Sequence, residues 1–189
     1  MNIALFASGT GSNVKNIIDF FKKNKTINIV LVVSNNSSAG ALIHAKNNNI
    51  HQLVIEKESL SDTKNVLEKL RKKNIQLVVL AGFLLKIPEK FITNYKGKII
   101  NLHPSLLPKF GGKGMYGNNV HKAVLESNET KTGITIHYVN KNYDEGTIIK
   151  QYETKLSKKE TIESIALKIK KLEKLYFPVT IEELILKSY

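Results

Sequence analysis

Short apolar runs alternate along this chain with segments whose apolar residues recur every three or four positions. Asn2 to Ala7 is an apolar run that breaks at Ser8-Gly9-Thr10-Gly11-Ser12-Asn13. Val14, Ile17, Ile18 and Phe21 then follow helical spacing, so Val14 to Lys25 is predicted as a helix. The chain therefore opens as strand, glycine turn, helix. Ile27 to Val33 is continuous and β-branched, the pattern of a strand covered on both faces. Asn35 to Ser38 is a polar turn, Ala39 to Asn48 predicts a helix, and Gln52 to Ile55 a strand. Ser61 to Lys73 predicts a helix with Val66, Leu67 and Leu70 on one face. Leu77 to Ala81 is a dense apolar strand closed by Gly82. Pro88 opens a short helix, because proline is tolerated in a first turn, and Lys98 to Leu102 is the next strand.

The pattern changes in the second half. Pro104 to Gly117 holds two prolines and four glycines and reads as an irregular loop. Asn118 to Glu126 returns to helix. Ile134 to Val139 alternates with period two, and Thr147 to Tyr152 reads as its antiparallel partner. From Glu160 onward, Ile162, Ile165, Ala166, Ile169, Leu172 and Tyr176 keep the period of a long helix. Strands alternating with helices predict the α/β class: a doubly wound, mostly parallel sheet with antiparallel late strands and a long C-terminal helix. No repeat, linker or break in composition divides the chain, so residues 1–189 are expected to form a single domain.

Composition narrows the function classes. The chain has 189 residues, 42% hydrophobic and 24% charged, which excludes disorder of the whole chain. Cysteine is absent, so disulfides, thiolate zinc sites and thiol nucleophiles are excluded. No apolar run approaches the roughly 20 residues that span a bilayer, and the first apolar residues lack a preceding basic region. A cytoplasmic protein with no membrane partner is expected. The net charge of +13 raises a basic nucleic-acid-binding domain as an alternative. Arg71 is the only arginine, however, and phosphate and base readers favour the planar arginine fork. No nucleic-acid partner is expected, and the lysines read as a solvated surface.

Three places carry candidate chemistry. Gly9 to Asn13 sits between a strand and a helix, where small residues and first-turn N–H groups make an anion cradle. Val14 stands where a dinucleotide fingerprint needs glycine, and the Gly-Lys-Ser/Thr ending of a P-loop is missing. The turn therefore suits a monophosphate, or it is simply a tight turn. Asn101 and His103 lie two apart at the end of a predicted strand, on one face of it. The C-terminal ends of parallel strands are where such sheets bind ligands, and an imidazole beside an amide can supply a general acid and an oxyanion donor. A hydrogen-bonded framework histidine is the alternative. Tyr143-Asp144-Glu145-Gly146 reads as a turn unless Asp144 folds against His103, where a carboxylate would raise the imidazole pKa. His137 lies in an alternating strand, and Glu173 borders the buried face of the last helix. His44, His51 and His121 show no ligand spacing, so no metal is expected.

Gly11-Ser12-Asn13, Leu80-Ala81-Gly82-Phe83, the octapeptide Asn101 to Pro108 and Asp144-Glu145-Gly146 together resemble the folate-dependent formyltransferases. The resemblance runs from Met1 to about Pro178, and the octapeptide is its most specific part. It implies a Rossmann-like formyltransferase fold. It also implies 10-formyltetrahydrofolate as a cosubstrate, with no tightly bound cofactor, and the amine of glycinamide ribonucleotide as acceptor, in purine synthesis. By the same resemblance Asn101, a protonated His103 and Asp144 are catalytic, and His137 supports them. Gly11, Ser12 and Asn13 bind the substrate phosphate, and Glu173 meets the amine. Leu84, Leu85, Lys86 and Ile87, with Asn101, line the folate pocket. Another formyl-handling enzyme, such as a formyltetrahydrofolate hydrolase, is the alternative.

Overall fold

The computed structural model describes residues 1–56, 60 and 63–187. It resolves into two compact units, Met1–Asn101 and Leu102–Tyr189. In the first, β1 (Asn2–Phe6), β2 (Asn28–Ser34), β3 (His51–Val54), β4 (Ile75–Leu80) and β5 (Lys98–His103) line up in the order β3-β2-β1-β4-β5. Every pairing among them is parallel. The connections carry α1 (Ser12–Phe21), α2 (Gly40–Asn47), α3 (Thr63–Lys72) and α4 (Glu89–Asn94).

β1 lies between β2 and β4, which explains why Ile3, Ala4, Leu5 and Phe6 are all inaccessible to solvent. Phe6 is level with Val33 of β2 on one side and Leu80 of β4 on the other. The chain steps from β1 to β2 in one direction and later returns to the opposite side as β4. That reversal is the switch point at which such sheets bind ligands, beyond the carboxyl ends of the strands. Asn101 pairs with Leu80, one strand further along the same end.

α1 begins two residues earlier than its periodicity predicts and stops at Phe21 rather than Lys25. The stop has a local cause: the Asn24 carboxamide accepts the backbone N–H groups of Thr26 and Ile27, closing a turn that turns the chain into β2. Val14, Ile17, Ile18 and Phe21 are buried as their spacing requires. β3 is an edge strand with no fully buried residue. Val66 and Leu70 face the core from α3, whereas its predicted start at Ser61 lies outside the described residues.

The second unit takes over within β5. It contains α5 (Asn118–Glu126), β6 (Lys131–Tyr138), β7 (Ile148–Lys155) and α6 (Ile162–Leu186). β6 and β7 are antiparallel, as predicted, with a register irregularity between Ile136 and His137. The alternation in the β6 sequence does not become an alternation in exposure. Residues 132–137 are all buried, because α6 packs against β6 and the loop after β5 docks on it as well. α6 starts with a reciprocal capping box between Thr161 and Ser164 and buries Ile165, Ile169, Phe177, Ile181 and Ile185. Pro178 sits inside this helix, where it removes one backbone donor.

Candidate active site

In the first unit the glycine turn follows directly from the position of β1. Gly11 caps α1 in a left-handed conformation with φ of 77°, and no side chain caps the helix. A Cβ on Gly11 would lie 2.5 Å from the Ala41 Cα, so glycine is needed both for the backbone angle and for the approach of α2. The first intrahelical bond runs from Lys15 N–H to the Gly11 carbonyl. First-turn N–H groups of an α-helix lack an acceptor within the helix itself, which is why helix starts suit anions. Ser12 is exposed there and Asn13 half-buried.

The segment after β4 is tied to the same end of the sheet. Ser8 Oγ accepts the Leu84 N–H at 2.8 Å and lies 2.5 Å from Asn35 Oδ1, to which it donates. Ser8 N–H in turn donates to the Gly82 carbonyl at 2.9 Å. Phe83 is buried edge-on against Phe6, and Ile87 is also buried. Leu84 and Lys86 stay exposed and Leu85 half-buried. Ser8 thus joins three loops, a role the sequence does not advertise beyond its place after an apolar strand. Asn101 is half-buried on β5.

The second unit brings together three residues that are distant in sequence. His103 ends β5 and is 3% exposed. Its Nε2 lies 2.8 Å from the Phe110 carbonyl, and its Nδ1 lies 3.5 Å from Asp144 Oδ2. The Gly112 N–H donates to that same Oδ2 at 2.9 Å. His137 is 2% exposed on β6, with Nδ1 2.8 Å from the Tyr138 carbonyl and Nε2 3.7 Å from Asp144 Oδ1. A carbonyl oxygen can only accept, so His103 Nε2 and His137 Nδ1 carry the protons. One carboxylate therefore faces two imidazoles, each held by its other nitrogen on a backbone carbonyl.

Opposing influences act on both members of the pair. Burial lowers the His103 pKa, and this outweighs the opposing pull of Asp144 and of the Phe110 carbonyl; His137 adds to the lowering. Asp144 is also affected most by burial, which raises its pKa. The His137 ring, the His103 charge and the Gly112 N–H together overcome that and leave it below the ordinary carboxylate value. Phe110 and Asp144, the two residues that hold His103, both adopt left-handed φ of 56°, a local strain of the kind found at functional positions.

Glu173 is half-buried on α6, and His121 is buried on α5 with its pKa lowered by burial. Among the described residues no group of three His, Asp or Glu could hold a metal ion, and no helix is long and apolar enough to cross a membrane.

Comparison with known proteins extends these observations. The family described as formyl transferase matches residues 1–181. A chloroplastic phosphoribosylglycinamide formyltransferase of Arabidopsis thaliana is 39% identical over 185 residues, which is 94% of this chain and 63% of that protein. Its counterpart in Vigna unguiculata is 38% identical, over 88% of this chain and 55% of that protein. The chain thus spans less than two thirds of the length of these plant relatives. The crystal structure of a phosphoribosylglycinamide formyltransferase from Bacillus halodurans superposes with a TM-score of 0.90 at 29% identity, covering 100% of this chain and 97% of that one.

Proposed function

The chain belongs to the formyl transferase family, and on that premise we propose that it transfers a formyl group from 10-formyltetrahydrofolate to the amine of glycinamide ribonucleotide, a step of purine synthesis. The observation that carries this reading is the His103–Asp144 pair, with His137 on the carboxylate's other oxygen. The names of the plant relatives and of the Bacillus halodurans structure support glycinamide ribonucleotide as the acceptor. The family match from residue 1 to 181 supports one formyltransferase domain over residues 1–189. The cysteine-free composition supports a reducing compartment, the cytoplasm.

The roles follow from chemistry. The neutral amine attacks the formyl carbon, and negative charge builds on the formyl oxygen. The Asn101 amide, two residues before His103 on β5, is the donor for that oxygen. The His103–Asp144 pair passes the proton released by the attacking amine to N10 of the folate as the bond between N10 and the formyl carbon breaks. His137 holds the carboxylate in line. The first turn of α1, at Gly11, Ser12 and Asn13, takes the ribose phosphate. Leu84, Leu85, Lys86 and Ile87 contact the folate, and Glu173 receives the amine. 10-Formyltetrahydrofolate leaves as tetrahydrofolate, so no tightly bound cofactor is invoked and neither a nucleic acid nor a membrane is a partner.

A spectroscopic assay of 10-formyltetrahydrofolate deformylation, with and without glycinamide ribonucleotide, tests the proposal. Turnover that requires the ribonucleotide supports it. Turnover without the ribonucleotide points to a hydrolase, and absence of turnover overturns the reading.

A further inference from the structure

The loop that holds His103 is itself held from below. Thr135 is inaccessible to solvent on β6, two residues before His137 and on the same face of the strand. Its Oγ1 donates to the Ser105 carbonyl at 2.7 Å and accepts the Leu107 N–H at 3.0 Å. Gln151 pairs with it across the ladder from β7. The Gln151 Nε2 group donates to Thr135 Oγ1 and to the Leu107 carbonyl, both at 2.9 Å. Two side chains thus satisfy three backbone groups of a segment that is neither helix nor strand. Ser105, also inaccessible, continues the network by donating from its hydroxyl to the Lys109 carbonyl at 2.8 Å.

The segment so anchored carries both backbone groups that define the candidate site. The Phe110 carbonyl fixes the His103 ring, and the Gly112 N–H fixes Asp144 Oδ2. Close packing adds to the anchoring. Two residues before Thr135, a Cβ on Gly133 would lie 2.0 Å from the Tyr152 carbonyl oxygen of β7 and 2.7 Å from Leu106 Cδ2, so glycine serves the β6–β7 pairing first and leaves room for Leu106 as well. Alternate positions of this strand therefore receive Leu106, bind the loop backbone and face Asp144.

We propose that Thr135, with Gln151, is a positioning residue for the His103–Asp144 pair, acting through the 105–112 loop rather than on any substrate. A fully buried hydroxyl with three partners is otherwise a poor choice for a strand interior, where valine would fill the same space. The inference rests on the transferase reading only for its activity readout.

The test compares Thr135→Val, which keeps the shape and removes the hydroxyl, with Thr135→Ser, which keeps the hydroxyl. Gln151→Met is the third variant; Gln151 is exposed, so this change leaves the fold intact. The His103 ring titration is followed by NMR in the free protein beside kcat and KM. Burial, Asp144 and the Phe110 carbonyl all act on His103 through this loop, so a loosened loop should move its titration by about half a unit or more in Thr135→Val. kcat should fall about 100-fold while KM changes little, since misplacement by about an ångström has that effect. Serine should restore both, and Gln151→Met should shift both in the valine direction by less. A His103 titration that is unchanged in Thr135→Val overturns the proposal, as does loss in both the valine and serine variants. If Thr135→Val does not fold, an unchanged titration and kcat in Gln151→Met overturns it instead. A wild-type protein without formyl transfer overturns the proposed function, and the NMR titration still decides the role of Thr135.

Discussion

Gly146 gives the most quantitative handle on the candidate site. A Cβ at this position would lie 1.7 Å from the Tyr138 carbonyl oxygen and 2.7 Å from its carbon. Ordinary carbon–oxygen contacts begin at about 3.3 Å, so Gly146→Ala must drive that carbonyl back by roughly 1.5 Å. The carbonyl accepts the His137 Nδ1 proton, and the Tyr138 N–H is bonded to the Thr147 carbonyl beside Gly146. The displacement therefore passes directly to the His137 ring and, two residues upstream of Gly146, to Asp144. Overpacking of this kind should destabilise the protein by about 1–3 kcal/mol. A shift of this size in a reacting group should lower kcat by about 100-fold or more. Thermal melts and steady-state formyl transfer measure the two effects separately. A Gly146→Ala protein with wild-type melting temperature and kcat would refute the close approach and the role given to His137.

Other outcomes test separate parts of the argument. Asp144→Asn removes the charge that raises the His103 pKa, so the imidazole should titrate at still lower pH and kcat should fall by about 100-fold or more; an unchanged NMR titration would remove Asp144 from this role. Gly11→Ala, forced into φ of 77° and against Ala41, should raise KM for the ribonucleotide more than it lowers kcat; equal loss with a truncated acceptor lacking the phosphate would argue against phosphate binding there. Glu160, bound by Lys168, the Ser157 N–H and Ser164 at the start of α6, has its pKa lowered from 4.5 to about 2. A depressed folded pKa gives stability that is present above the unfolded value and is lost as pH falls through the folded one. Glu160→Gln should therefore flatten the stability curve between those two values in acid denaturation, and an unchanged slope would contradict the assignment.

Local pattern carried much of the reading of this chain, and contacts between distant residues carried the rest. Strand, helix and turn types were legible because hydrophobic periodicity is set by neighbours a few residues apart: Val14, Ile17, Ile18 and Phe21 all face inward, and β6 and β7 pair as predicted. The spacing of Asn101 and His103 on one strand face was legible for the same reason. The full burial of β6 was not, because packing on its second face comes from a loop remote in sequence. The meeting of His103, His137 and Asp144 on one carboxylate is equally a long-range result. The sequence shows the charge beside His103 but not the burial that lowers its pKa. Thr135 and Gln151 look like ordinary strand residues until the fold lays the 105–112 loop across them. The sequence by itself determined the class of fold and the set of chemical groups, since both follow from residue types at short spacing. Only the tertiary structure decided which groups touch and how far they are removed from water, because both depend on packing between residues distant in sequence.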